Sequence, residues 1–79
     1  FPLLLGQALL EQERWADAEP LLQRAVEAAP ASAEACVGLG RVALANADRA
    51  QAIRWLRRAL AFAPYNRQAA HLLDQVSAP

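Results

Sequence analysis

Residues 33–66 read AEACVGLGRVALANADRAQAIRWLRRALAFAPYN, and the fold follows from how that stretch repeats along the chain. Shifted back by 34 residues, it lays Gly40 on Gly6, Ala52 on Ala18, Leu56 on Leu22, Ala59 on Ala25 and Pro64 on Pro30. Shifted forward, it lays Ala35 on Ala69, Leu39 on Leu73 and Val42 on Val76. An Ala/Leu-rich chain matches itself at some positions by chance. Glycines, prolines and small alanines returning in register weigh more, because these residues have strong backbone and packing meaning.

Each unit reads as two helices. Ala33–Ala45 carries Val37, Leu39, Val42 and Leu44 with no internal proline. Asn46-Ala47-Asp48 is a polar break, and Asp48 can cap the helix that follows. Arg49–Ala61 then sets Ile53, Leu56 and Leu60 on one stripe at helical spacing. Pro64 ends it, since proline has no N–H to donate and biases its predecessor away from the helical region. The first unit mirrors this, with a helix over Leu3–Leu10, a turn led in by Glu11–Arg14, and a second helix reaching Ala29 before Pro30. Pro20 is expected in the first turn of that second helix, where an N–H has no intrahelical partner to lose. Arg67–Val76 starts a third unit as a fifth helix. The expected organisation is a single domain with one unit at 1–32, a second at 33–66 and a closing helix at 67–77.

Composition agrees. The chain has 79 residues, 20 of them Ala and 13 Leu, the best helix formers. β-branched side chains are few, which argues against a sheet. An apolar fraction of 56% with net charge zero is unlike a disordered chain. Eight Arg balance eight acids, so nothing attracts the chain as a whole to phosphate. One cysteine allows no disulfide framework and no cysteine metal cage, and it suits the cytoplasm while remaining compatible with the periplasm. No apolar run is long enough for a membrane span. Arg without Lys suggests a GC-rich, bacterial coding sequence, and the start at Phe1 suggests a fragment of a larger protein. The recurring small residues have a packing reason: Gly6 and Gly40 are expected where a helix meets its partner, with Ala18 and Ala52 on the facing side.

The chain resembles the tetratricopeptide repeat family. Its second unit puts Cys36, Leu39, Gly40, Ala43, Ala52, Leu56, Ala59 and Pro64 at the family's packing positions. The first puts Pro2, Leu5, Gly6, Leu9, Ala18, Leu22, Ala25 and Pro30 there. Trp15 falls where the family often carries an aromatic beside the turn. The family's usual Trp is replaced by Cys36, its Tyr by Leu9 and Ala43, and its turn glycine by Glu13 and Ala47.

The resemblance implies an all-α fold, a right-handed alpha-alpha superhelix (solenoid) of two 34-residue helix-turn-helix repeats plus a C-terminal helix. It also implies that the first helix of each pair lines a concave groove. Carried over by position, the groove residues are Leu3, Gln7, Leu10 and Glu11, then Glu34, Val37, Arg41 and Leu44, then Gln68, His71, Leu72 and Gln75. Chaperone-binding members hold a C-terminal carboxylate with Lys, Asn and Arg. Here only Arg41 resembles part of that set and Gln7 replaces an Asn, so Arg41 reads as a solvated groove residue.

The expected function is non-catalytic: a scaffold that binds a peptide or protein segment in its groove. The alternatives are a structural spacer or self-assembly segment of a larger bacterial protein, and a regulatory appendage on an enzyme. Cys36 and His71 have neither a nucleophile's base and orienting group nor enough companions for a zinc site, so no catalytic, metal or cofactor residues are expected. Cys36 reads as a small hydrophobe. Gly38-Leu39-Gly40 lacks the preceding strand of a dinucleotide motif.

Arg54, Arg57 and Arg58 share a helix face, which reads as solvated guanidiniums whose stems cover apolar surface rather than as a nucleic-acid site. Residues 1–40 hold two Arg against six acids, net −4, and residues 41–79 hold six Arg against two acids, net +4. Neither end shows a clear polar cap, and the last helix is expected to leave Leu72, Leu73 and Val76 bare. Self-association through exposed repeat ends is the corresponding expectation.

Overall fold

The computed structural model describes residues 1–78 and contains five helices. They are α1 (Pro2–Glu11), α2 (Trp15–Ala28), α3 (Ala33–Ala45), α4 (Arg49–Phe62) and α5 (Arg67–Ser77). No strand occurs among the described residues. Consecutive helices pack side by side: α1 on α2, α2 on α3, α3 on α4 and α4 on α5, while α1 also reaches α3. The result is an elongated stack, 34 × 24 × 17 Å along its principal axes.

Equivalent signals set the helix ends in the two units. At the start of α3 the Ser32 Oγ accepts from the Ala35 N–H at 3.3 Å. One unit later the Asn66 Oδ1 accepts from the Ala69 N–H at 2.9 Å. Asp48 caps α4 by accepting from the Gln51 N–H at 3.2 Å. Arg14, its counterpart before α2, makes no cap and pairs instead with Asp17 at 2.8 Å. Ala29 and Ala63 lead into Pro30 and Pro64 with extended backbones (φ −140° and −138°), as a residue before proline prefers.

The turns inside the hairpins are also equivalent. The Arg14 N–H donates to Leu9 O and the Glu13 N–H to Leu10 O, both at 2.9 Å. Asp48 and Ala47 repeat this on Ala43 O at 2.8 Å and Leu44 O at 3.1 Å. This paired closure needs a left-handed residue at its corner, a place glycine usually takes. Here Glu13 and Ala47 both stand there at φ 57°.

Two expectations are corrected. Pro20 lies inside α2, beyond its first turn, because the helix already begins at Trp15. The carbonyl one turn back, on the exposed Ala16, is therefore left to solvent. The bare apolar end is the N-terminal one. Phe1 is 99% exposed, Leu4 67% and Leu5 55%. At the other end Val76 is buried and Leu72 and Leu73 are half-buried, because α4 packs against α5. The exposed residues of α5 are Arg67, Gln68, Ala70, His71, Asp74, Gln75 and Ser77.

The core runs along the stack from Leu10 to Val76, and among the described residues no polar or charged side chain is buried. Leu10, Leu22 and Leu56 are its largest fully buried members. Each contributes on the order of 1.5–3 kcal/mol by leaving water. The glycines let these leucines approach. A methyl at Gly40 would lie 3.0 Å from Leu56 Cδ2, and one at Gly6 would lie 3.0 Å from Leu22 Cδ2. Leu22 does more than Leu56: a methyl at Gly38 would lie 2.9 Å from its Cδ2. One leucine is thus seated on glycines of two successive units. Ala18 and Ala52, fully buried, complete the small-residue contacts.

Candidate functional site

α1, α3 and the start of α5 converge on one face. Glu34, Val37, Gly38 and Arg41 follow one another at helical spacing along α3, and with Gln7, Leu10, Asn66 and Gln68 they line a small cavity of about 60 Å³. Toward the other end of α3, Arg41, Leu44 and Ala45 meet Trp15 and Leu72 around a wider hollow of about 290 Å³. Arg41 belongs to both. It is half-buried, and its Nη1 lies 3.6 Å from Glu11 Oε1, a loose ion pair with an exposed carboxylate. Loose exposed pairs of this kind contribute little stability, so the guanidinium is readily turned toward another acceptor.

The groove residues named from sequence fall into four groups. Gln7, Leu10, Glu34, Val37, Arg41, Leu44, Gln68 and Leu72 line the two cavities, with Val37 buried as part of the floor. Glu11 stands beside them through Arg41. Leu3 belongs elsewhere: it lines an apolar cleft of about 310 Å³ with Phe1, Leu4, Ala25 and Ala28. His71 and Gln75 lie on the exposed side of α5, with their Nε2 atoms 3.2 Å apart, and line neither cavity. Trp15 and Asn66 also line these hollows; the sequence marks Trp15 only as an aromatic beside the turn and gives Asn66 no role.

This face offers one guanidinium, the amides of Gln7, Asn66 and Gln68, and apolar side chains. Among the described residues no group of three or more His, Cys, Asp or Glu side chains could hold a metal ion. Cys36 is completely buried, and burial pushes its thiol above the ordinary value, with the Arg58 charge pulling weakly the other way. A protonated, inaccessible thiol is a poor nucleophile. No helix of the described residues is long and apolar enough to cross a membrane.

No curated protein matches the chain. The family model described as Tetratricopeptide repeat matches residues 3–67. That span takes in α1 from its second residue, all of α2 to α4, and the cap and first residue of α5. With the all-helical stack and its returning glycines and prolines, the match shows that the chain belongs to the tetratricopeptide repeat family, whose repeats generally mediate protein–protein interaction or scaffolding.

Proposed function

We propose that the face of α1, α3 and α5 binds a segment of a partner protein, as a non-catalytic scaffold. The observation that carries this reading is the position of Arg41, half-buried at the junction of two adjoining cavities and held only by a long contact to Glu11. The floor beside it is apolar (Val37, Leu44, Leu72) and its rim carries the amides of Gln7 and Gln68. Such a surface suits an extended segment with an apolar side chain, and amides that satisfy its backbone. Titration of a peptide library against the chain tests it. Saturable binding that weakens at least roughly ten-fold in Arg41→Ala and in Gln7→Ala is the expected result, a loss of about 1.4 kcal/mol. Binding unchanged by both substitutions overturns it.

A second reading, assembly, is favoured by the bare N-terminal face. Phe1, Leu4, Leu5 and Ala8 stand at the repeat positions of Ala35, Gly38, Leu39 and Val42, all of which are buried. Another helical hairpin stacking there would cover an apolar stripe the chain itself leaves open. Light scattering separates this from the first reading: an average mass that rises with concentration and falls back in Leu4→Gln/Leu5→Gln supports assembly. A monomer at every concentration argues against it.

A further inference from the structure

A different face of α3 opens into a cleft of about 400 Å³ between α2 and α4. Its lining includes Leu39 and Val42, and the half-buried Trp55 forms a wall. Two carboxylates stand at its mouth, Glu19 from α2 and Asp48 from the α3–α4 turn. The ion pairs among the described residues are Arg14–Asp17 and Arg41–Glu11, and neither uses these two acids. Asp48 spends Oδ1 on the Gln51 N–H, which fixes the direction of its carboxylate.

Trp55 is also a wall of a shallower neighbouring cleft of about 210 Å³, lined by Arg54 and Arg58. The Arg58 guanidinium sits over the indole, 5.6 Å from its centroid, and donates to Pro30 O at 3.3 Å. One half-buried indole therefore separates a hollow with two carboxylates from a hollow with two guanidiniums.

The geometry points to a second docking surface on this face, one that takes a protein segment bearing a basic side chain beside an acidic one. The aliphatic stem of a Lys or Arg lies against Trp55, over the floor that the buried Leu39 and Val42 close, while its cation meets Glu19 and Asp48. The neighbouring carboxylate meets Arg54 and Arg58. A bare metal ion would make no use of the apolar lining. A nucleic-acid backbone is disfavoured because the two acids repel phosphate beside the arginines. The surface is independent of Arg41 and the face that holds it.

The experiment follows the two indole N–H resonances by NMR while a blocked peptide carrying one lysine and one glutamate is titrated in. Trp15, which lines the hollow beside Arg41, reports on the other face. The expected result is a saturable shift of Trp55 with Trp15 unmoved. A twin peptide with norleucine for lysine is expected to bind at least roughly ten-fold more weakly, about 1.4 kcal/mol. Glu19→Gln combined with Asp48→Asn is expected to weaken the lysine peptide similarly. Asn keeps the cap on α4, so that variant stays folded. Arg41→Ala leaves the titration unchanged. A silent Trp55, equal binding of the norleucine twin, or binding that survives the double variant overturns the proposal.

Discussion

Glu13 and Ala47 hold a backbone conformation that suits glycine. A non-glycine residue in the left-handed region costs of order 1–3 kcal/mol, against an entropic cost of about 0.5–1 kcal/mol for placing glycine there. Both turns are solvent-exposed and neither side chain is needed for packing. Ala47→Gly is therefore expected to stabilise the fold by about 1 kcal/mol, raising Tm by about 4–8 °C for a domain of this size. A thermal melt of the variant beside the parent checks it. Cys36 gives a second expectation at this scale. Its thiol is held above its ordinary value of 9.0, chiefly by burial. A raised value means that the folded state keeps the proton after the unfolded chain has released it, so the stabilisation is complete below pH 9.0 and is lost as the pH climbs past it. Urea midpoints measured from neutral to alkaline pH should fall more steeply for the parent than for Cys36→Ala, whatever the constant cost of the smaller side chain.

Between helices, Leu22 is the tie that holds the two units together, since it fills the space left by Gly6 in its own unit and by Gly38 in the next. Gly40 gives its counterpart Leu56 the same close seat. Gly40→Leu is expected to cost about 1–3 kcal/mol by overpacking, read as a lower urea midpoint with an unchanged slope. The helices themselves were legible because apolar spacing, caps and prolines all act locally, and the register of Gly6 with Gly40 already announced a close contact. The identity of the partner leucine was not legible, since it depends on how hairpins cross. Pro20 was misplaced because Arg14 starts α2 without a side-chain cap, so no residue type marked the true beginning. The groove residues were named from family register, which cannot tell a lining side chain from one turned outward. That is why Leu3 falls in another cleft and His71 and Gln75 face solvent.

For the whole molecule, the two ends differ in kind. The outer side of α5 is polar, and Asp74 stands at the repeat position where Gly40 admits Leu56. A charged side chain there obstructs the close seating of a further helix. The α1 end instead presents Phe1, Leu4 and Leu5. One repeat position shows what this asymmetry means for stability. Leu5 and Leu39 are the same residue in the same register, yet Leu5 is 55% exposed and Leu39 only 3%. Leu39→Ala removes methylenes from a closed interior and is expected to cost about 2–5 kcal/mol. Leu5→Ala removes a side chain that already contacts water and is expected to cost less than about 1 kcal/mol in the isolated chain. If another hairpin covers the α1 stripe at high concentration, the gap must shrink there, because Leu5 then becomes as enclosed as Leu39. Chemical denaturation of both variants at low and high protein concentration measures it, and a gap that is absent at low concentration contradicts the distinction drawn between the two ends.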